Sequence, residues 1–280
     1  MLWKGRDESS NVEDRRGMKI GGAVGAGSII IAIIYALLGG DPNVILNQGA
    51  QPTTQSVNAP AQNDDASAFV RVVLKDTEDV WGKIFQKEGQ TYAQPKLVLF
   101  SDRVQSACGV AGSAVGPFYC PADQKVYLDL TFFQEMSSKL GAQGDFAQAY
   151  VIAHEVGHHV QNISGLSSQF HADRGRMSER ETNKASVEVE LQADCLAGVW
   201  AKETNQMNQS LEQGDIEEAL GAASAVGDDK LQKASRGYVV PDSFTHGSSE
   251  QRMAAFTKGF SNGSIQSCAG GGSQSLNVNR

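Results

Sequence analysis

The sequence predicts an α+β fold in which helices dominate and a small sheet lies early in the domain. Apolar residues at helical spacing predict a helix from Ser67 and others at about 131–141, 145–163, 176–207, 215–235 and 248–260. Two short apolar runs, KLVLF at 96–100 and KVYLDL at 125–130, predict strands. An uncharged stretch at 20–38 predicts one transmembrane helix ahead of the domain.

Composition and charge exclude one class of partner. The chain has 280 residues, of which 40% are hydrophobic and 20% charged, enough for one globular domain with accessory segments. Its net charge is −8, and outside the N-terminal segment no run is rich in lysine and arginine. Nucleic-acid binders usually carry a basic patch, so no nucleic acid is expected as a partner.

The N-terminal part predicts a membrane anchor. The 19 residues of 20–38 could cross a hydrocarbon core as a helix, and the next basic residue after them is Arg71. The basic residues before them are Lys4, Arg6, Arg15, Arg16 and Lys19. This asymmetry predicts a single pass with the N-terminus in the cytoplasm and the folded domain in the periplasm or outside the cell. A cleaved signal peptide is the alternative.

The predicted organisation has five parts. A cytoplasmic segment at 1–19 precedes the membrane helix at 20–38, and a flexible linker rich in Gln, Asn and Pro follows at 39–66. The folded domain occupies 67–269, and the Gly/Ser/Asn-rich tail at 270–280 is expected to be disordered.

Four cysteines fit an exported domain. The predicted disulfides join Cys108 to Cys120 and Cys195 to Cys268, because an oxidising compartment favours bridges. Four cysteines allow three pairings, and a buried free thiol at Cys195 is the alternative, since it lies in an apolar helical stretch.

The stretch 145–163 (DFAQAYVIAHEVGHHVQNI) predicts a buried helix with Asp145 as its N-cap. His154 and His158 are four residues apart and share one face, so both imidazoles could bind one metal ion. Glu155 lies beside them and could take the proton of a water that zinc activates. A pair of buried histidines satisfied by hydrogen bonds is the structural alternative.

A third ligand is expected on a later helix, SVEVELQADCLAGVW at 186–200. Glu190 and Asp194 share one face of it, and carboxylates amid so much apolar surface need partners. A zinc ion for Glu190 and the second nitrogen of a ligating imidazole for Asp194 would answer both needs. His171 and Asp173 are the alternative ligands.

Five further positions refine this hypothesis. Gln161 and Ser164 stand where the metzincin pattern needs glycine and histidine, which excludes that class. Gly157 costs about 1 kcal/mol inside a helix, which predicts a close approach of another element at that turn. His159 and Glu188 are expected to point away from the metal.

The pattern HExxH followed by ExxxD resembles the gluzincins, that is, the thermolysin-like and HtpX-like zinc peptidases. The chain resembles more closely the bacterial neutral zinc metallopeptidases of the YpfJ-like family. The segments that carry this resemblance are MLWKGRDESSNVEDRRG, GPFYCPADQKVYLDLTFF, GDFAQAYVIAHEVGHHVQ, ELQADCLAGVW and FTHGSSEQR. The resemblance covers nearly all of 1–270, and it implies a membrane-anchored, zincin-like peptidase domain that binds Zn²⁺.

HtpX-like peptidases carry a similar T-H-x5-R element, here His246 and Arg252. By that resemblance His246 would stabilise the oxyanion or reach the zinc as a gate, with help from Arg252. A surface histidine that caps the next helix is the alternative. Tyr238 could donate a phenolic hydrogen bond to the oxyanion, although a packed tyrosine is the commoner reading.

The predicted function is hydrolysis of peptide bonds in a protein or peptide substrate by a zinc metalloendopeptidase. Two other functions remain open from the sequence. One is an inactive zincin-fold module with a binding or chaperone-like role, and the other is a hydrolase of cell-wall peptides that uses the same site. Retention of Glu155, which a structural zinc does not need, favours the enzyme.

Overall fold

The computed structural model describes residues 1–17, 64–167 and 173–269. Its α-helices are α1 Asp65–Lys87, α2 Thr131–Leu140, α3 Asp145–Ile163, α4 Glu179–Asn208, α5 Asp215–Ala225, α6 Asp228–Arg236, α7 Ser249–Asn262 and α8 Ile265–Cys268. Its strands are β1 Val12–Asp14, β2 Lys96–Phe100, β3 Arg103–Ser106, β4 Gly109–Gly112, β5 Phe118–Cys120 and β6 Lys125–Asp129. Short 3-10 turns lie at Ser113–Val115, Arg174–Arg176 and Pro241–Ser243. The prediction of a mainly helical α+β domain is confirmed.

The main sheet has four strands in the order β1-β2-β6-β5. Strands β1, β2 and β6 run parallel, and β5 pairs antiparallel with β6 at one edge. Strands β3 and β4 form a separate antiparallel pair. Both predicted strands are present, but β1, β3, β4 and β5 are too short or too rich in polar residues and glycine to show a clear period in the sequence.

Helix α3 is central to the fold, and it contacts β5, β6, α1, α4 and α5. Its apolar side chains belong to the main core, which also includes residues of the sheet, α1, α4, α5 and α7. Phe146 of α3 stacks on Trp200 of α4 with ring centroids 5.8 Å apart. Burial on nearly every side fixes α3 firmly, and this rigidity matters because α3 carries the HExxH motif.

Helices α4 and α7 pack with their backbones almost in contact. A Cβ atom added to Gly259 would lie 1.8 Å from the carbonyl oxygen of Cys195, and one added to Gly198 would lie 2.1 Å from that of Phe256. No side chain fits at either position, so glycine is required at both. This contact fixes α7, and with it Arg252, against α4.

Two predicted helix boundaries differ from the structure. The helix predicted at 215–235 ends at Ala225, and α6 begins at Asp228. The break lies at Gly227, where an added Cβ atom would be 2.4 Å from the backbone nitrogen of Ser249. The predicted N-cap, Asp145, is the first residue of α3, and its place as N-cap is taken by Gly144.

The structure has disulfides between Cys108 and Cys120 and between Cys195 and Cys268, with Cα atoms 5.9 and 5.5 Å apart. The preferred pairing is therefore confirmed, and Cys195 is not a free thiol. The first bridge joins the turn between β3 and β4 to the last residue of β5. The second ties α4 to α8.

Residues 1–17 are part of the folded domain, in contrast to the separate segment predicted at 1–19. Strand β1 pairs with β2, and the backbone nitrogen of Leu2 donates to the carbonyl oxygen of Ser210 at 2.8 Å. The Arg6 guanidinium binds the buried carboxylate of Asp76, with one N–O distance of 2.8 Å. Local polarity in the sequence gave no sign of these contacts, because every partner is at least 70 residues away.

The predicted membrane helix at 20–38, most of the linker at 39–66 and nearly all of the tail at 270–280 lie outside the described residues. Among the helices in the described ranges, none combines the length and the apolar character needed to cross a bilayer.

Candidate metal centre

Helices α3 and α4 bring together the three side chains predicted to bind a metal. The Nε2 atoms of His154 and His158 lie 3.2 and 3.4 Å from the carboxylate oxygens of Glu190. One donor atom from each residue lies within 4.8 Å of the others. His154 is 7% exposed, while His158 and Glu190 are partly buried. The arrangement supplies two imidazoles and one carboxylate, a donor set that Zn²⁺ prefers.

Each histidine is oriented by an oxygen atom on its other ring nitrogen. The Nδ1 atom of His154 lies 2.8 Å from Oδ1 of Asp194, and Nδ1 of His158 lies 2.8 Å from Oε1 of Gln161. The side-chain amide of Gln161 is oriented in turn, because its Nε2 donates to the carbonyl oxygen of Val189 at 2.7 Å. Since the oxygens can only accept, both Nδ1 atoms donate, which leaves Nε2 as the nitrogen of each ring that could bind a metal ion, facing Glu190.

The charges favour a cation between the three side chains. Burial opposes the protonation of His154, but Asp194 and Glu190 outweigh it and raise the pKa of His154 to about 10. Burial opposes the ionisation of Glu190, but His158 and His154 hold the pKa of that carboxyl well below its usual range. At neutral pH, protons on the imidazoles therefore compete with a divalent ion for the same nitrogen atoms.

We expect zinc affinity to rise with pH from 6 to 9. The folded protein must release protons from His154 and His158 before zinc binds, whereas Glu190 stays ionised throughout. Each released proton strengthens binding by up to about tenfold per pH unit. Competition with a chelator of known affinity at several pH values measures this. An affinity that does not change over this range would contradict the expected proton release.

Asp194 is the centre of a buried charge network behind His154. Nε of Arg252 donates to Oδ2 of Asp194 at 2.8 Å, and Nη2 donates to Oδ1 at 2.9 Å. The hydroxyl of Tyr150 donates to the same Oδ1 at 2.5 Å. Asp194 is 0% exposed and Arg252 4%. The structure therefore places Arg252 as the partner of Asp194, rather than as a free donor for an oxyanion.

Glu155 lies in the wall of the same cavity as His154 and His158 and is 8% exposed. Burial raises its pKa, although the two histidines oppose this effect. A carboxylate with a raised pKa is a better proton acceptor at neutral pH.

His246 also lines the cavity and is held by Asp228. One oxygen of Asp228 accepts the backbone N–H groups of Thr245, His246 and Gly247 at 2.7 to 3.0 Å, and the other lies 3.2 Å from Nδ1 of His246. Burial opposes protonation of His246, but Asp228 and Glu190 together raise its pKa. The histidine is thus a fixed, partly buried group at the site and does not act as a surface cap.

The other residues considered as site residues do not line the cavity in the described part of the chain, or they point away from the metal ligands. Tyr238 is 61% exposed and does not line the cavity. Asp173 is also absent from its lining, and His171 lies outside the described residues. Glu188 is exposed, as expected. His159 is fully buried, and its Nε2 donates to the carbonyl oxygen of Ala93 at 2.6 Å, away from the metal ligands.

The cavity in front of the three ligands has a volume of about 620 Å³. One wall carries the charged groups of α3, α4 and the His246 loop. The lining also includes apolar side chains, namely those of Val115, Pro117, Phe118, Phe132, Leu140 and Val151. Strand β5, which contributes Phe118, is the edge strand of the sheet beside the site. The cavity is large enough for several residues of an extended peptide.

Sequence reasoning missed three residues that hold the site in place. Tyr150 lies four residues before His154 and Gln161 three after His158, so both share the histidine face of α3, which was a usable signal. Asp228 had no such signal, because it is 18 residues from His246.

The close approach predicted at Gly157 is confirmed. A Cβ atom at this position would lie 2.9 Å from the carbonyl oxygen of Ala193, which precedes Asp194 on α4. The glycine therefore allows α4 to approach α3 closely enough for Asp194 to reach His154.

Comparisons with known proteins agree with this geometry. The profile of a family described as "Putative neutral zinc metallopeptidase" matches residues 1–270. The uncharacterized protein YpfJ of Escherichia coli (strain K12) is 48% identical, and the alignment covers 96% of this chain and 98% of YpfJ. The uncharacterized proteins Mb2605 of Mycobacterium bovis and Rv2575 of Mycobacterium tuberculosis are 38% identical over 83% of each chain.

No solved structure gives a significant match. The family profile covers nearly the whole chain, and its description agrees with the donor set that the fold assembles. The chain belongs to the neutral zinc metallopeptidase family.

Proposed function

We propose that the protein is a zinc-dependent peptidase that hydrolyses peptide bonds. The observation that carries the proposal is the convergence of His154, His158 and Glu190 beside Glu155 at the wall of a cavity of about 620 Å³. Three protein ligands leave a coordination position open, which is typical of catalytic rather than structural zinc.

His154, His158 and Glu190 would hold the ion. Zinc, when bound, polarises a carbonyl group and makes water more acidic. The hydrogen bonds of Asp194 and Gln161 keep both imidazoles in the tautomer and orientation that binding requires. Loss of such partners typically weakens metal binding 10- to 100-fold.

Glu155 would act as the general base and then as the general acid. It accepts a proton from the attacking water and passes it to the departing amine. Its burial supports this role, because burial raises the pKa of Glu155 and so makes the carboxylate a stronger proton acceptor.

His246 would stabilise the negative charge that develops on the carbonyl oxygen. Asp228 engages its Nδ1 atom, so Nε2 is the nitrogen that remains for a substrate oxygen. The raised pKa favours the protonated imidazole, which is the stronger donor. Arg252 contributes indirectly through Asp194 and His154.

Membrane attachment is also part of the proposal. The uncharged stretch at 20–38 supports it, and the two disulfides support an oxidising compartment for the domain. The substrate would be a protein or peptide, whose apolar side chains fit the wall formed by Phe118, Phe132 and Leu140.

Metal removal and reconstitution test the proposed function. We expect the purified full chain to bind one zinc ion per molecule and to cleave unfolded protein substrates. Chelation should abolish cleavage, and one equivalent of zinc should restore it. His154→Ala should lose both zinc and activity because a ligand is gone, while Tyr238→Phe should keep both. Stoichiometric zinc without cleavage of any unfolded protein or peptide library would overturn the peptidase assignment.

A further inference from the structure

The domain holds both ends of the segment that contains the apolar stretch 20–38. The described ranges 1–17 and 64–167 meet at a direct ion pair. Nη1 of Arg16 lies 2.8 Å from Oδ2 of Asp64, which is the N-cap of α1. The guanidinium of Arg16 also binds Asp14 of β1 at 2.6 Å. The chain therefore leaves the domain and returns to it at one corner.

Residues before this corner are built into the sheet. Strand β1 pairs in register with β2, with Val12 opposite Leu97 and Asp14 opposite Leu99. The backbone nitrogen of Leu97 donates to the carbonyl oxygen of Asn11 at 3.0 Å, and that of Arg15 donates to Leu99 at 2.8 Å. Removing this strand would leave the edge of β2 unpaired.

Polar contacts fix the first ten residues as well. The hydroxyl of Ser9 donates to the Glu78 carboxylate at 2.6 Å, and both residues are buried. Asp76 is 3% exposed, and Arg6 supplies two hydrogen bonds to its carboxylate. Without residues 1–17, the carboxylates of Asp76 and Glu78 would lose these partners inside the protein, which is costly.

A single crossing by 20–38 is incompatible with these contacts. A spanning helix would separate its two ends by about 30 Å of hydrocarbon, whereas Arg16 and Asp64 are in contact. The stretch 39–63 cannot return across the bilayer, because its only apolar run is Val44-Ile45-Leu46 and a second span needs about 20 apolar residues.

We propose that residues 1–17 and the catalytic domain lie on the same side of a lipid bilayer, to which the apolar stretch attaches the protein without placing the bilayer between them. This inference does not depend on peptidase activity. The two disulfides favour the outer face. It replaces the single-pass arrangement expected from the charge asymmetry alone.

The attachment corner and the candidate metal centre lie at opposite edges of the sheet. Strand β1, beside the corner, is one edge of the order β1-β2-β6-β5, and β5 at the other edge lines the cavity. Strands β1 and β5 are three strand spacings apart, which is about 14 Å. The bilayer would thus meet the edge away from β5, which leaves the strand that lines the cavity open to substrate.

Matched cysteine variants test the arrangement in intact cells. Ser10→Cys lies in the N-terminal segment and Ser138→Cys in α2; both serines are exposed and both changes are nearly isosteric. The native cysteines are all in disulfides and will not react. We expect a membrane-impermeant maleimide to label both variants or neither before permeabilisation, and both afterwards. Lys4→Cys, whose side chain is 77% exposed, is a second N-terminal position if Ser10→Cys does not accumulate.

Labelling of only one of the two positions in intact cells would overturn the same-side arrangement. Flotation of the full chain with phosphatidylethanolamine–phosphatidylglycerol vesicles tests the attachment itself. We expect the protein to float with the vesicles, and recovery in the aqueous fraction would overturn the role of 20–38 as an anchor. Neither measurement reads activity, so a failure here is distinguishable from a failure of the proposed peptidase.

Discussion

Glu155→Gln is expected to lower kcat/KM for peptide hydrolysis by about 10²- to 10⁴-fold, the usual contribution of a general base or acid. Glutamine keeps the size of the side chain but cannot take a proton from water. Glu155 lies beside the three ligands without being one of them, so zinc content and thermal stability should stay close to the wild-type values. Steady-state kinetics with a fluorogenic peptide and metal analysis of the same preparation measure both effects.

The matched control is Glu188→Gln. Glu188 lies on α4, two residues from the ligand Glu190, but its side chain is exposed. The same chemical change should leave activity and zinc content unaltered. If Glu155→Gln retained wild-type activity with full zinc content, Glu155 would not be the base, and the mechanism proposed above would have to be abandoned.

Arg252→Met is expected to give the largest loss of stability among the site variants, about 3–5 kcal/mol. Methionine has a similar volume but leaves the 0%-exposed Asp194 without its guanidinium partner. For a domain of this size the loss corresponds to a fall in Tm on the order of 10 °C. Chemical and thermal unfolding of the zinc-loaded protein measure it.

Two further variants test whether the loss of stability comes from the buried ion pair. Combining Arg252→Met with Asp194→Asn removes both charges and should recover part of the stability, while zinc affinity falls because His154 loses its carboxylate partner. Arg180→Met removes an exposed ion pair with Asp242, 3.2 Å long, and should have a much smaller effect. Equal losses for Arg252→Met and Arg180→Met would show that the buried network has no special role in stability.

Local spacing in the sequence determined the chemistry of the site. His154 and His158 must share a face whenever 145–163 is helical, and the same holds for Glu190 and Asp194 on α4. Apolar periodicity identified both helices, because each packs an apolar face against a core. The expected oxidising compartment favoured disulfides, although the sequence left three pairings possible. The close approach at Gly157 followed from the cost of an interior glycine.

Only the tertiary structure decided which distant groups complete the site. Arg252 and Asp228 owe their roles to contacts across 58 and 18 residues, and no local pattern reports a partner at such a separation. Tyr238 was a reasonable donor by its position in the chain, yet the loop leaves it exposed. Side-chain type and spacing determine which residues share a face of a helix. Tertiary packing determines which distant residues contact that face.

The N-terminal segment shows most clearly the difference between what the sequence determined and what the tertiary structure decided. Its charges and the apolar stretch after it are properties of the sequence, and they predicted a separate cytoplasmic end. The position of residues 1–17 is set instead by β1 pairing with β2 and by buried partners such as Asp76. These contacts join residues some 70 to 85 positions apart. Hydropathy along the chain could therefore reveal an apolar stretch suited to a membrane, but it could not reveal on which side of the bilayer the residues at its two ends lie.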